Sequence, residues 1–282
     1  MRIMTIEEKF HALVNLVEKE GLQARAYFDD NQNGNEQKAD GSVVTQIDKD
    51  IEEALVTFIR TEFPDDTIIG EESEGYSGIS DFVWHIDPID GTDNFLRRIP
   101  FCAISVARLG STNEDSFGVV HNPITKQTFA ALMDNGVYER EHVHVLTDEL
   151  LGGKAVITLA RGRKESWIKT AAYNLRKAIA MQFGKCDPYG SCALELAYIA
   201  ANRIDGQLII GLNSYDYAAG LFLVKAAGGQ ISVFENNTWA PWTGSIKELC
   251  AEHGKTMFIS HGGIHADAVA LIGNPRDWSD EK

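Results

Sequence analysis

The stretch WHIDPIDGTDNF, residues 84–95, decides how this chain is interpreted. An apolar run leads into two carboxylates, Asp87 and Asp90. Pro88 restricts the backbone between them, and Gly91 frees it just beyond. We expect a strand that runs into a tight turn, with both acids facing one point. Hard divalent cations prefer oxygen ligands, so this stretch predicts a magnesium site.

The residues between and after these acids extend the prediction. A tight turn can add a backbone carbonyl to the ligands, here that of Ile89. Gly91 and Thr92 can open a helical turn whose free N–H groups point at an anion, so a phosphate would sit between them and the metals. In isolation, Asp87 and Asp90 could equally be turn residues. The length of the whole string favours the metal site.

Two further carboxylates are candidate ligands. Glu71 lies in the acidic segment 70–75, directly after the short apolar run Thr67–Ile69. Strand ends are where the sites of sheet proteins gather. Asp216 precedes an apolar helical pattern. Each has an ordinary alternative, a solvated loop for Glu71 and a helix N-cap for Asp216. They are candidate metal ligands only because Asp87 and Asp90 are present as well.

Asp48 is the candidate general base. Thr45 and Asp48 open a helical pattern with the spacing of a capping box, and capping is compatible with catalysis. A carboxylate near a metal-bound water can accept its proton, and the hydroxyl of Thr92 can relay the charge. We therefore predict that Asp48 and Thr92 form a catalytic pair.

The composition excludes several classes of function. The chain has 282 residues and a formal net charge of −15, which argues against a nucleic-acid or membrane partner. Four separated cysteines and no signal-peptide pattern favour a reduced, cytoplasmic location. Dinucleotide-binding and P-loop motifs do not occur in the sequence. A zinc site at His261 and His265 is improbable because glycines separate them.

Periodicity predicts an α+β chain in two parts. Helices are expected from Met4 to about Tyr27 and from Thr45 to Pro64, with a mobile loop over Asp29–Asp40 between them. We expect subdomains 1–145 and 146–282, with the boundary around 140–152. The first has helices on a mainly antiparallel sheet, and the second alternates in an α/β pattern. The strands predicted for the first subdomain are Thr67–Ile69, Phe82–Ile86, Cys102–Leu109, Phe117–His121 and Thr128–Leu132.

These motifs together resemble the inositol monophosphatase family of lithium-sensitive, Mg²⁺-dependent phosphatases. The matching segments, which follow the family order over almost the whole chain, are Lys38–Thr45 with Asp48, Gly70–Ser73, Asp87–Thr92 with Asn94 and Phe95, and Asp216–Gly220. The resemblance implies a layered αβαβα sandwich that assembles as a homodimer.

The resemblance also implies a role for each matching residue. Two or three Mg²⁺ ions would be held by Glu71, Asp87, Asp90 and Asp216 and by the carbonyl of Ile89. Asp48 and Thr92 would activate the attacking water. The residues expected to contact the substrate are Glu71, Ile89, Asp90, Gly91, Thr92, Gly190, Ser191, Cys192 and Asp216.

Two departures from the family concern the alcohol part of the substrate. Ile209 stands where the inositol enzymes carry a glutamate that binds substrate hydroxyls, and Tyr215 replaces a common tryptophan. We expect a small phosphorylated alcohol, first of inositol monophosphate type. Histidinol phosphate, fructose 1,6-bisphosphate and 3′-phosphoadenosine 5′-phosphate are the alternatives. A noncatalytic binding or regulatory protein is the alternative of another class, although none of the four acids predicted to bind metal, which we call the cage (Glu71, Asp87, Asp90 and Asp216), is missing.

Overall fold

The computed structural model describes residues 4–30, 35–37, 43–112, 114–132, 136–139, 142–150, 153–162 and 166–279. Residues 38–42, part of the segment Lys38–Thr45 that matches the family, lie outside these residues. The helices are α1 (Ile6–Asp29), α2 (Gln46–Glu62), α3 (Thr92–Leu96), α4 (Ser166–Phe183), α5 (Cys192–Ala200), α6 (Ser214–Ala226), α7 (Ile246–Cys250) and α8 (Gly262–Ile272), with a 3-10 turn at Pro275–Trp278.

The described strands form a two-stranded ribbon and two larger sheets, and the first of these larger sheets has seven strands. β1 (Asn35–Gln37) pairs with β2 (Val43–Thr45) in an antiparallel ribbon. The first sheet has the order β3-β4-β5-β6-β7-β8-β9, and only its β3–β4 pair is parallel. Its strands are β3 (Thr67–Gly70), β4 (Val83–Asp90), β5 (Ala103–Leu109), β6 (Phe117–Asn122), β7 (Gln127–Leu132), β8 (Val137–Glu139) and β9 (His142–His144).

The second sheet contains parallel and antiparallel strands in the order β11-β10-β12-β15-β13-β14. β10 is parallel to both β11 and β12, and β15 is antiparallel to β12 and β13. Its strands are β10 (Ala155–Arg161), β11 (Gly184–Cys186), β12 (Gly206–Ile210), β13 (Gln230–Glu235), β14 (Thr238–Pro241) and β15 (Thr256–Ser260).

The layers follow from which helix faces are apolar. α1 buries Phe10, Leu13 and Val17 along one stripe, and with α2 it packs on the first sheet. α4 and α8 pack on the second sheet. α5 and α6 contact strands of both sheets and bury nearly every residue, as expected of helices enclosed between two sheets. The αβαβα sandwich predicted from the sequence is confirmed.

Several short strands were not predicted from the sequence. The predicted loop over Asp29–Asp40 contains strand β1. The predicted subdomain boundary contains β9, which belongs to the first sheet. Among the described residues, strands of the first sheet end at His144 and those of the second begin at Ala155. The division into two subdomains stays a proposal.

No helix in the described ranges combines the length and apolarity needed to cross a bilayer.

A buried ion pair fixes the early strands of the first sheet. The Nε of Arg108 on β5 lies 2.7 Å from Oδ2 of Asp66, and both side chains are almost completely buried. The indole of Trp84 donates to the same oxygen at 2.9 Å, and Ser80 donates to Oδ1 at 2.7 Å. The guanidinium also packs 3.5 Å from the ring centroid of Phe82. The carboxylate therefore depends on Arg108 for its countercharge.

We predict that Arg108→Ala lowers the free energy of unfolding by about 3–5 kcal/mol, because it leaves the Asp66 charge buried without its partner. Urea unfolding followed by circular dichroism measures the loss. The matched control is Arg176→Ala, whose exposed pair with Asp187 (2.8 Å) should cost about 0–1 kcal/mol. Equal losses in the two variants would contradict the assignment of a structural role to the buried pair.

Candidate active site

A β-bulge brings the first two acids together. Asp87 pairs with Ser105 on β5 and Asp90 pairs with Ala103, so three steps along β4 match two along β5. Residues three apart in a regular strand project from opposite faces, and the extra residue of a bulge restores a common side. The prediction of a turn here was wrong. Both acids lie within the strand, and the bulge performs the task assigned to a turn.

The third acid comes from helix α6. Asp216 lies in the first turn of this helix, and its Oδ2 accepts a hydrogen bond at 2.7 Å from the backbone N–H of Asn213, the N-cap residue. Nδ1 of His85 on β4 lies 3.0 Å from Oγ of Ser214, which links the start of α6 to the strand that carries the other acids. Asp216 therefore caps helix α6 and is also a candidate metal ligand.

Asp87, Asp90 and Asp216 converge. Each offers one carboxylate oxygen, and the three atoms lie within 4.8 Å of one another. Burial raises the pKa of Asp87 well above its usual range, and the neighbouring charges of Glu71, Asp90 and Asp216 raise it further. Its Oδ1 has no hydrogen-bond partner among the described residues. Converging carboxylate oxygens, together with a buried oxygen of Asp87 that has an unsatisfied lone pair, fit a hard divalent cation.

Asp90 also connects the two halves of the chain. Its Oδ2 accepts hydrogen bonds from Oγ of Ser191 at 2.6 Å and from the backbone N–H of Ala193 at 2.7 Å, both at the start of α5. Burial raises its pKa to about 7, although these donors act in the opposite direction. The hydrogen bonds fix the orientation of the carboxylate toward the cage.

Asp48 is completely buried at the start of α2, where it feels the charges of Glu71 and Glu72. Its Oδ2 accepts hydrogen bonds from the backbone N–H of Thr45 at 3.0 Å and from the Thr45 hydroxyl. Its Oδ1 has no hydrogen-bond partner among the described residues. Burial is the main cause that raises the pKa of Asp48 to about 7, and Glu72 and Glu71 contribute. A base with a pKa near neutrality is well suited to proton transfer.

The predicted relay between Asp48 and Thr92 is not formed in this structure. The hydroxyl of Thr92 instead donates to the carbonyl of Ile89 at 3.0 Å, and the donors to Asp48 come from Thr45.

Gly91 adopts a left-handed φ of 90°, and a Cβ there would lie 2.9 Å from the carbonyl oxygen of Gly190. Only glycine allows these two segments to approach so closely.

A cleft of about 1320 Å³ joins the predicted residues. Asp48 and Ile209 are not among its lining residues. Ile209 is fully buried in the core, and the residues after it reach the cleft instead. Ile209 therefore forms no part of the cleft wall, which agrees with the expectation that the polyol contact is missing at this position. Tyr215, the other departure from the family, does line the cleft. The predicted residues that line it are Glu71, Asp87, Ile89, Asp90, Gly91, Thr92, Gly190, Ser191, Cys192 and Asp216.

Glu52 is a supporting residue that the sequence interpretation missed. It is buried on α2, and its two carboxylate oxygens accept hydrogen bonds from the backbone N–H groups of Glu72 at 2.9 Å and Ser73 at 2.8 Å. These bonds hold the loop that carries Glu71. A signal was available, because Glu52 lies four residues after Asp48, on the same face of α2.

Glu195 does the same for the opposite segment. It is buried on α5, and Oε1 accepts hydrogen bonds from the backbone N–H groups of Tyr189 at 2.7 Å and Gly190 at 2.9 Å. Gln207 donates to Oε2 at 2.6 Å. Burial raises the pKa of Glu195. This residue therefore positions the loop that includes Gly190 and Ser191.

His261 and His265 have separate partners. Nε2 of His261 lies 3.2 Å from Oδ1 of Asp205. The ring nitrogens of His265 lie 2.8 Å from the hydroxyls of Ser232 and Ser260. Among the described residues, neither histidine belongs to a group of three or more potential metal ligands.

Comparison with known proteins agrees with this geometry. The model of the inositol monophosphatase family matches residues 6–268. The chain belongs to the inositol monophosphatase family. Membership supports a phosphatase that depends on a divalent metal, and the fold and cage of this family member agree with it.

Individual relatives carry two kinds of name. "Nus factor SuhB" of Pasteurella multocida is 35% identical over 199 residues, which cover 70% of this chain and 74% of the relative. "Nus factor SuhB" of Escherichia coli K12 is 36% identical over 216 residues, covering 74% and 79%. The solved IMPase of Thermotoga maritima is 26% identical, with a TM-score of 0.77 over 95% of this chain and 97% of that one.

The raised pKa values of these acids predict how the stability of the fold depends on pH. Unfolded aspartates titrate near pH 4, whereas Asp48 and Asp90 in the folded chain have a pKa of about 7. The folded state therefore binds more protons between these values, and the free energy of unfolding falls as pH rises through this window. In chelator, we expect the melting temperature to fall from pH 5 to pH 8.

Asp90→Asn should flatten this pH dependence, because it removes one of the titrating groups. Asp50→Asn is the matched control, since Asp50 lies exposed on α2, and this variant should retain the wild-type slope. Added Mg²⁺ should raise the melting temperature most at high pH, where the carboxylates are ionised. A melting temperature that rises with pH in chelator would contradict the prediction.

Proposed function

We propose that this protein is a Mg²⁺-dependent phosphomonoesterase that hydrolyses a small phosphorylated alcohol. The observation that carries the proposal is the convergence of Asp87, Asp90 and Asp216 within 4.8 Å, at the wall of a cleft. Carboxylate oxygens are the ligands that Mg²⁺ prefers. Glu71 and the carbonyl of Ile89 line the same cleft and would complete the ligand set for two or three ions.

The chain supplies three functions around such a site. Bound Mg²⁺ would lower the pKa of a water ligand and neutralise phosphate charge. Asp48 accepts the proton of the attacking water at its unpartnered Oδ1, while Thr45 holds the other oxygen. Backbone N–H groups at Gly91 and Thr92 orient the phosphate. Gly190, Ser191 and Cys192 contact the alcohol part.

Asp48 has to exchange its proton easily for this role. Burial favours the protonated form of its carboxyl group, and nearby cations would favour the ionised form again. A pKa between these limits lets the residue accept a proton during attack and release it afterwards. Thr92 would join the pair after its hydroxyl turns from the carbonyl of Ile89.

Inositol monophosphate-type alcohols remain our first choice of substrate, because an IMPase is among the similar structures. The relatives named Nus factor favour a second candidate, a regulatory function of the same fold. Complete retention of the acids and of Asp48 supports the enzyme. Homodimer formation, lithium inhibition, a cytoplasmic location and the absence of a nucleic-acid partner also remain predictions.

A substrate panel tests the activity. Phosphate release should be measured with inositol 1-phosphate, histidinol phosphate, fructose 1,6-bisphosphate and 3′-phosphoadenosine 5′-phosphate, with Mg²⁺ and with excess chelator. We expect hydrolysis only with the metal. Equal rates in chelator would reject metal dependence. Mg²⁺ binding without turnover of any substrate would favour the regulatory candidate.

Asp48→Asn tests the general base. The substitution preserves shape and an oxygen that accepts from Thr45, but it removes the group that takes the proton. We expect kcat to fall by about 10²- to 10⁴-fold, while calorimetry shows Mg²⁺ binding close to wild type. Asp50→Asn, on the same helix and exposed, should leave kcat unchanged. A near wild-type kcat in Asp48→Asn would remove Asp48 from the mechanism.

A further inference from the structure

The cleft extends beyond the acid cage to the edge of the second sheet. Its volume of about 1320 Å³ exceeds the roughly 300–1,000 Å³ of common small-molecule sites. Arg161 ends β10, Ile210 ends β12 and Glu235 ends β13, and all three residues line the cleft. Ligands of α/β sheets bind outside such strand ends. We call this wall, defined by Arg161, Ile210, Glu235, Lys255 and Arg276, the strand-end wall.

The strand-end wall differs from the cage in charge. The cage contributes only acids, whereas Arg161, Lys255 and Arg276 all line this second wall. Lys255 is neutralised, because its Nζ lies 2.8 Å from Glu235 and 3.0 Å from Glu252. It therefore fixes the wall and adds no net positive charge.

Arg161 is the cation that remains available. Its side chain is exposed to the cleft, and among the described residues no carboxylate lies within ion-pair distance of it. Its Nη1 donates a long hydrogen bond of 3.4 Å to the carbonyl of Gly162. Within the described part of this acidic chain, whose net charge is −15, the guanidinium of Arg161 therefore has no carboxylate partner. Such a group binds phosphate or carboxylate through two parallel hydrogen bonds.

The backbone under Arg161 is held rigidly. The N–H of Gly162 donates to the carbonyl of Ile210 at 2.8 Å, so the pairing of β10 with β12 continues past the last strand residue. A Cβ at Gly162 would lie only 2.2 Å from the carbonyl oxygen of Gly211. The two strand ends can therefore approach only because position 162 is glycine. A fixed backbone limits the directions in which Arg161 can reach into the cleft.

We propose that the substrate carries a second anionic group, a phosphate or a carboxylate, which Arg161 binds at the strand-end wall. The cage holds the reacting phosphate at the other part of the same cleft. Arg276 lines the same wall. This inference rests on the proposed function and narrows its substrate class from alcohol monophosphates to phosphate esters with two anionic ends.

Matched substrate pairs test the proposal. Glycerol 3-phosphate and 3-phosphoglycerate differ by a carboxylate, and fructose 6-phosphate and fructose 1,6-bisphosphate differ by a phosphate. We expect the wild type to favour at least one doubly anionic member by roughly 10- to 100-fold in kcat/KM, the usual effect of a charged hydrogen bond. The pair that shows the preference identifies which anion is bound.

Arg161→Gln should abolish this preference by raising KM for the doubly anionic substrate, with the singly anionic substrate unaffected. Arg161→Lys should retain part of it, because charge persists without the paired geometry. The control is Arg60→Gln, because Arg60 is exposed on α2 and lies outside the cleft lining. This variant should leave kcat/KM unchanged for both substrates. An equal loss on both substrates in Arg161→Gln, or no wild-type preference in either pair, would overturn the proposal.

Binding measured without turnover separates this inference from the proposed function. Calorimetry in Mg²⁺ with Asp48→Asn protein should show tighter binding of the doubly anionic compounds, and adding Arg161→Gln should remove the difference. That result would support the anion site even if the wild type hydrolysed no phosphate ester. Indistinguishable affinities within both pairs would overturn the anion site, whatever the activity.

Discussion

Electrostatic repulsion among buried carboxylates is the constraint on which the rest of this structure depends. Three aspartate oxygens lie within 4.8 Å of one another, and a fourth acid, Asp48, is buried where the charges of Glu71 and Glu72 act on it. Helix starts compensate for part of this cost. Asp48 and Asp216 lie in the first turns of α2 and α6, and Asp90 accepts a hydrogen bond from the first turn of α5. The positive ends of helix dipoles favour negative charge there.

The same contacts explain why the fold and the site are inseparable. Asp90 belongs to the first sheet and its donors belong to α5, so the hydrogen bonds cross between distant parts of the chain. Asn94 extends this link by donating to the carbonyls of Phe101 at 2.8 Å and Tyr189 at 2.7 Å. The cage can therefore form only after both parts have packed together.

The first helices and the acids could be predicted because both leave strong local signals, whereas the layered sandwich was implied by the family resemblance. Apolar periodicity indicated α1 and α2, and the string from Asp87 to Thr92 indicated the cage. The sequence around Pro88 did not indicate the bulge, because whether Pro88 lies in a turn or in a bulged strand depends on the register of β4 with β5. The importance of Arg161 was equally hidden, because a terminal strand residue becomes significant only when the other strand ends are placed around it.

The position of Ile209 shows why substrate is harder to predict than chemistry. The family resemblance indicated only that an apolar residue there removes a polyol contact, and Ile209 packs in the core between the sheets, so this position does not reveal what the cleft binds instead. The chemistry depends on a few acids whose types and spacing persist in the sequence. Substrate choice depends on walls assembled from distant strand ends. In a strongly acidic chain, those walls bind an anion only where a cation faces the cleft, and the cage itself can do so only after it has bound metal.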